Sequence, residues 1–254
     1  MNFSPLTYWA VGFIVIALAG LHITTRFVKI DMEKSGELVV AMLTILGTLV
    51  SVLLGLLVSS ADEQYRSLEE CVSTEATSVG QVFRLARGLP LPQCKTLQKL
   101  CIEYSTRVTN EEWQAMKHGK GSSAVTEVYT RLSDEMTSFQ PANSREEALQ
   151  SAIIETTSQI GQSRATRIVA SRSNWGERLL PLIFTCAIVV LACSYLYVGQ
   201  GSMLLHSVLV GFVAVTLGVN IGVIFLMTRP FSSEWAIEPE SFRLHCDVMK
   251  QYLK

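Results

Sequence analysis

Four long hydrophobic runs constrain the fold of this chain more than any other feature of its sequence. They occupy residues 6–25, 38–58, 179–198 and 203–227, and none of them contains Lys, Arg, Asp or Glu. A helix of about 20 residues crosses the roughly 30 Å hydrocarbon core of a bilayer. A charge at mid-depth costs about 2.5 kcal/mol or more, and a buried helix of a soluble protein seldom stays uncharged for so long. The runs therefore predict four transmembrane helices.

An even number of spans places both termini and the long polar block between the second and third spans on one side of the membrane. Basic residues close to span ends are normally more frequent on the cytoplasmic side. The side of the polar block has Arg66, Arg164, Arg167, Arg172, Arg178 and Arg229, against Arg26, Lys29 and Lys34 on the other side. We therefore expect both termini and the polar block to be cytoplasmic.

The predicted spans divide the chain into four parts. Residues 1–58 hold the first two transmembrane helices, and residues 59–178 form a cytoplasmic domain. Residues 179–228 hold the last two transmembrane helices, and residues 229–254 form a cytoplasmic tail that we expect to pack on the domain.

Apolar residues recur in steps of three and four along the polar block, which predicts helices. The first helix continues the second span until Gly88, where Pro90 and Pro92 end it. The last helix of the block begins at a capping box formed by Ser144 and Glu147. The predicted fold class is all-α: four transmembrane helices, with a cytoplasmic four-helix bundle between the second and third spans.

Small and hydroxyl-bearing residues form a polar stripe along the second span. At about 100° per residue they fall within an arc of about 80° on one helix face. The polar stripe consists of Thr44, Thr48, Ser51, Gly55 and Ser59. Hydroxyl oxygens can replace part of an ion's hydration shell, so this face is a candidate pore lining with Asp62 and Glu63 at its cytoplasmic mouth. Four helices cannot enclose a sizeable pore, so this interpretation requires a ring of subunits.

Tight helix packing is the alternative interpretation of the polar stripe. Small residues let helix backbones approach, and hydroxyls can bond to the carbonyl four residues earlier in their own helix. The residues alone leave both interpretations open. In the last span, Gly211, Gly218 and Gly222 share a face that we interpret as a helix-packing surface.

Composition and spacing argue against several other functions. The formal net charge of −1 gives no basic excess for holding nucleic acid. The cysteines and histidines show no metal-ligand spacing, so we expect neither a metal nor a cofactor. No hydrolase motif occurs and no span contains a carboxylate, which argues against an enzyme. The expected partners are the lipid bilayer, inorganic ions and further copies of the chain.

Several short motifs resemble a known bacterial family. They are LLGLLV at residues 53–58, Tyr65, Glu75-Ala76, Arg84-Leu85-Ala86, Leu89-Pro90, Arg229-Pro230-Phe231-Ser232-Ser233 and Pro239-Glu240-Ser241-Phe242. Together they resemble a domain-of-unknown-function family of four-span membrane proteins described as bestrophin-like, over nearly the whole chain. The family motif after the last span usually reads Pro-Phe-Ser-Gly, whereas this chain has Ser233 in place of the glycine.

The resemblance implies a four-span subunit of the bacterial inner membrane, assembled as a ring and conducting ions as bestrophins do. It implies no catalytic residues. The alternative function is a non-conducting membrane scaffold or signalling subunit whose cytoplasmic bundle binds a partner. Ion selectivity stays open, because Asp62 and Glu63 favour cations, whereas Arg164 and Arg167 would attract anions if they faced the same vestibule.

Overall fold

A computed structural model describes residues 5–27, 32–173, 175–196 and 202–253. Every regular element in these ranges is helical, which confirms the all-α prediction. The α-helices are α1 (Pro5–Phe27), α2 (Met32–Leu85), α3 (Leu91–Arg107), α4 (Trp113–Met116), α5 (Ser123–Ser138), α6 (Ser144–Arg172), α7 (Trp175–Leu196), α8 (Met203–Met227) and α9 (Glu240–Tyr252). A 3₁₀ turn (Ala86–Gly88) follows α2, and a π-helical turn (Val108–Glu112) joins α3 to α4.

Within the described residues, four helices are long and apolar enough to cross a membrane, as predicted. They are α1, α2, α7 and α8, and α8 has the bounds of the last hydrophobic run. Residues 28–31 and 197–201, which belong mainly to the two predicted short loops, lie outside the described residues.

The chain divides into two compact units. The membrane unit comprises Met1–Gln64 and Asn174–Arg229, and it holds the four hydrophobic runs. The bundle unit comprises Tyr65–Ser173 and Pro230–Lys254. Helix α2 contributes its first part to the membrane unit and its second part to the bundle unit.

Helices α1 and α8 pack closely in the membrane unit. Trp9 lies against Gly222, and Phe13 lies against Gly218. Residue numbers rise along one helix as they fall along the other, so α1 and α8 are antiparallel. The start of α1 therefore lies beside the end of α8.

Helices α1 and α7 run in the same direction. The rings of Phe13 and Phe184 stack with their centroids 6.2 Å apart, and the Tyr195 ring lies against Gly20. Contacts thus advance together along both helices. The start of α1, the start of α7 and the end of α8 consequently lie at one end of the membrane unit.

The bundle unit buries one apolar core. Stripes of α2, α3, α5 and α6 supply Val79, Leu97, Val128 and Ile160, each 1% exposed or less. Helix α9 adds Phe242 to this core. The chain turns between α2 and α3 where Pro90 follows Leu89, whose extended backbone is the conformation preferred before a proline.

The N-terminus of α6 differs by one residue from the prediction. Its N-cap is Asn143 rather than Ser144, and the Asn143 side chain accepts a hydrogen bond from the Glu146 N–H at 3.0 Å. The Glu146 carboxylate in turn accepts from the Ala142 N–H at 2.9 Å. Asn caps a helix as well as Ser does, so the N-cap lies one residue earlier than predicted, and the glutamate at N3 bonds to the N–H just before the N-cap.

Candidate pore-lining helix and buried ion-pair network

The polar stripe of α2 lies on the surface of the single chain. Thr44, Thr48, Ser51, Gly55 and Ser59 are all exposed. The buried face of α2 lies about 120° away and packs into the membrane unit through Val50, Leu54 and Ala61. The described helices of this chain therefore do not cover the polar stripe.

A second exposed face of α2 is wholly apolar. It carries Ile45, Leu49, Val52 and Leu56, each more than half exposed. At about 100° per residue, this face is centred roughly 90° from the polar stripe. The two exposed faces differ sharply in chemistry although they neighbour each other on one helix.

The threonine hydroxyls of the polar stripe bond to their own helix. The Oγ1 of Thr44 donates to the Val40 carbonyl at 2.9 Å, and the Oγ1 of Thr48 donates to the Thr44 carbonyl at 2.8 Å. Each hydroxyl proton is thereby engaged, while the oxygen keeps lone pairs that can accept from water or coordinate a cation. The predicted mouth residues follow on α2, where Asp62 is half-buried and Glu63 is exposed.

The three glycines of α8 do not share one environment. A Cβ at Gly218 would lie 3.0 Å from the Trp9 carbonyl oxygen and 3.2 Å from the Ala10 Cα, and one at Gly222 would lie 3.0 Å from the Trp9 ring. Nothing lies within 4 Å of the corresponding position at Gly211. Close approach of α1 therefore requires glycine at positions 218 and 222 but not at position 211.

A buried ion-pair network occupies the bundle unit, and the sequence analysis did not predict it. Arg167 is fully buried and forks onto Glu75, with Nε 2.7 Å from Oε2 and Nη2 2.8 Å from Oε1. Its Nη2 also donates to Glu112 Oε1 at 2.9 Å. The Tyr104 hydroxyl donates to Glu75 Oε1 at 2.7 Å. Burial disfavours the charged guanidinium, yet the adjoining Glu75 carboxylate outweighs this and raises the Arg167 pKa.

Arg164 completes the network. Its Nη2 lies 2.5 Å from Glu112 Oε2 and donates to Thr126 Oγ1 at 2.9 Å. Burial opposes ionisation of Glu112, but hydrogen bonds from Arg164 and the charge of Arg167 hold the Glu112 pKa below its usual value. Two carboxylates and two guanidinium groups thus neutralise each other inside the core.

This network corrects the idea that Arg164 and Arg167 face an ion vestibule. Both side chains point into the core of the bundle unit, with each guanidinium bonded to a buried carboxylate. The π-helical turn ends at Glu112 and places that carboxylate inside. Single π turns inside α-helices are rare and occur frequently at functional sites.

The network also contacts the C-terminal tail. The Arg167 guanidinium lies 5.1 Å from the centroid of the Trp113 ring and 5.9 Å from that of Phe242. Trp113 Nε1 donates to the Ile237 carbonyl at 3.0 Å, and the Tyr65 hydroxyl donates to the Trp235 carbonyl at 2.7 Å. The tail is therefore held by two aromatic donors that reach its backbone. Among the described residues, no group of His, Cys, Asp and Glu could hold a metal ion.

Comparison with known proteins gives the chain's relatives. The model of the Bestrophin-like domain family matches residues 11–242. A search of curated protein sequences gave no significant match. Crystal structures of a bacterial bestrophin homolog from Klebsiella pneumoniae, each with one substitution, are similar in fold.

One of these structures has a TM-score of 0.70 at 9% identity, covering 98% of this chain and 99% of that one. A second has a TM-score of 0.64 at 9% identity, covering 98% of both chains. A third has a TM-score of 0.61 at 11% identity, also covering 98% of both. At such low identity these likenesses describe the fold alone, whereas the family match spans most of the sequence, and the chain belongs to the bestrophin-like family.

Proposed function

We propose that this protein is the subunit of a homo-oligomeric ion channel in the bacterial inner membrane, and that α2 lines its pore. The observation that carries the proposal is the position of the polar stripe. Its five residues are exposed in the single chain, whereas a face of α2 about 120° away is buried. Burial of these side chains within one subunit therefore does not account for the stripe.

The contrast between the two exposed faces of α2 favours water over lipid at the polar stripe. A helix surrounded evenly by lipid has no reason to separate hydroxyl and small residues from large apolar ones. Separation is expected when one exposed face meets a hydrated axis and the other meets apolar neighbours. The lone pairs of Thr44 and Thr48 then take the place of part of an ion's hydration shell.

A ring of subunits follows from this role, because one polar face on one helix cannot surround a water-filled path. The predicted domains fit the same arrangement. Residues 1–58 and 179–228 then cross the membrane, while residues 59–178 and the tail 229–254 lie in the cytoplasm. This assignment agrees with the positive-inside rule.

The same helix supports a preference for cations. Residues 59–70 of α2 carry four carboxylates and one guanidinium. Arg164 and Arg167 do not offset this acidic excess, because both are buried and paired with carboxylates. A ring multiplies this acidic excess by the number of subunits. Concentrated negative charge at a pore mouth raises the local concentration of cations.

The test is conductance of the purified full-length protein in planar bilayers, with subunit number measured by light scattering in detergent. Thr48→Leu on the polar stripe is compared with Leu49→Phe on the apolar face, because both substitutions enlarge the side chain and Leu49 points about 100° away from Thr48. We expect an oligomer that conducts, loss of current in Thr48→Leu with assembly intact, and normal current in Leu49→Phe. A monomer, or an oligomer without conductance, would instead favour a membrane scaffold.

A further inference from the structure

An apolar groove of about 420 Å³ lies between α1 and α7 in the membrane unit. All nine lining residues are apolar, aromatic or glycine. Gly12 forms part of its floor, and nothing lies within 4 Å of the position that a Cβ would take there. Ile16 and Ile188 are both 65% exposed, so the groove opens on the surface of the unit.

The length of the groove matches one leaflet of a bilayer. Its α1 wall extends from Tyr8 to Ile16, nine residues whose eight helical rises span about 12 Å. Half of a hydrocarbon core of roughly 30 Å is about 15 Å. An apolar chain that spans one leaflet therefore matches the groove in length.

Cationic side chains mark one end of the groove. The ring of Trp9, a lining residue, lies 5.1 Å from the Phe225 ring, and the Arg229 guanidinium lies 4.4 Å from the centroid of Phe225. Arg178 is exposed near the start of α7, six residues or about 9 Å before Phe184 in the groove wall. The start of α7 and the end of α8 lie at the same end of the membrane unit, so both arginines belong to this end.

Aromatic and basic residues at one level are typical of the boundary between hydrocarbon and headgroups. Guanidinium groups bind phosphate by charge-assisted hydrogen bonds, which they can make in pairs. An apolar groove with two arginines at the level of one end thus presents complementary chemistry to both parts of an anionic phospholipid.

We propose that the groove between α1 and α7 binds one acyl chain of an anionic phospholipid, with the lipid phosphate held at Arg178 and Arg229. The site is independent of the polar stripe of α2 and does not require that the protein conducts ions. The site lies inside the membrane, in the leaflet that contains the start of α1 and the start of α7.

The binding test is native mass spectrometry of the full-length protein in detergent, titrated with dioleoyl phosphatidylglycerol or dioleoyl phosphatidylcholine. We expect tighter binding of the anionic lipid, by about fivefold for each arginine at the membrane surface. Arg178→Gln should remove about fivefold of that preference. Equal binding of the two lipids by the unmodified protein would overturn the proposal, as would an unchanged preference in Arg178→Gln.

A second pair of variants tests the groove itself. Gly12→Leu fills it with a side chain, and Gly211→Leu makes the same change on α8, where the Cβ position is also open. We expect Gly12→Leu to bind one lipid fewer per chain and Gly211→Leu to bind as the unmodified protein does, both with normal helix content.

Three results would contradict the assignment. Undiminished binding by Gly12→Leu would place the lipid elsewhere. A change of subunit number in Gly12→Leu would identify the groove as an interface between copies. Complete displacement of the bound lipid by soluble glycerol phosphate would reduce the site to an anion site without an acyl chain.

Discussion

Replacing Arg167 by Met tests the buried ion-pair network most severely. The substitution keeps an unbranched apolar stem but removes the guanidinium that bonds to Glu75 at 2.7 and 2.8 Å and to Glu112 at 2.9 Å. Two buried carboxylates then share the single cation of Arg164. Removing one partner of a buried pair costs about 3–5 kcal/mol. At about 2–4 °C per kcal/mol for a chain of this size, Tm should fall by about 6–20 °C.

The assay is far-UV circular dichroism of the full-length protein in detergent during heating. Arg131→Met is the matched control, because Arg131 is 46% exposed in its pair with Glu103. An exposed pair contributes about 0–1 kcal/mol, so this variant should lose no more than about 4 °C. A Tm for Arg167→Met equal to that of Arg131→Met would refute the reasoning.

A double variant separates charge from packing. Glu75→Gln removes the surplus charge of Arg167→Met, and its amide oxygen can still accept the Tyr104 hydroxyl proton that Glu75 accepts at 2.7 Å. We expect the combination to recover much of the lost Tm, because one carboxylate and one guanidinium then remain. Losses that simply add would show that the two side chains act independently and that charge pairing is unimportant.

Three further outcomes follow from the geometry. Asp62→Lys should shift the reversal potential in a salt gradient toward anion permeation, and an unchanged value would remove Asp62 from the mouth. Gly218→Ala should lower Tm by an amount equivalent to about 1–3 kcal/mol, because its Cβ meets the α1 backbone. Gly211→Ala should leave Tm unchanged, and similar effects of the two substitutions would contradict the packing of α1 against α8. The Glu112 pKa in the folded protein lies below the unfolded value of about 4.3. Ionised Glu112 therefore stabilises the fold fully above about pH 4.3, and this stabilisation is lost as the pH falls through the folded pKa. When the pH is lowered from about 5 to 3, the stability of Glu112→Gln should therefore fall less than that of the unmodified protein. The control Glu111→Gln, at an exposed position, should lose as much stability over this range as the unmodified protein does.

Local patterns in the sequence predicted the helices well. The four hydrophobic runs and the end of α2 near Gly88 depend on composition and on a proline, which act within a few residues. The capping box at α6 was placed one residue late, because Asn143 and Ser144 are both good N-caps with a glutamate three residues on. Helix ends of this kind are set by competition between neighbours.

The spacing of apolar residues around the π-helical turn is a signal for that turn in the sequence. Buried apolar residues in this segment step by four from Tyr104 to Val108 and then by five to Trp113, and Glu112, four residues after Val108, is buried as well. A five-residue step breaks the three- and four-residue pattern of an α-helix and matches one extra residue in a turn.

The ion-pair network could be predicted only in part. Arg164 and Arg167 follow Ile160 at the spacing of the buried stripe of α6, which indicates buried charge that needs partners. Their partners lie elsewhere in the chain, with Glu75 separated from Arg167 by 92 positions. One sequence contains no information that joins such distant residues, so it left open whether the two arginines face a vestibule or the core of the bundle unit.

The surroundings of the polar stripe could not be predicted in the same way, because the described residues of one chain leave the stripe exposed. Its residues and their common face follow from helix geometry, and the structure places them on the surface. Whether water or another helix lies opposite them stays a prediction.

Thiol accessibility at the polar stripe tests the central claim most directly. Thr48→Cys and its neighbour Leu49→Cys, which points about 100° away, are compared in a variant with Cys186 and Cys193 replaced by Ala. The protein is reconstituted and exposed to a charged, water-soluble thiol reagent while current is recorded. A pore along α2 predicts rapid modification and block of Thr48→Cys with little effect on Leu49→Cys. A conducting protein in which Thr48→Cys is as protected as Leu49→Cys would contradict it.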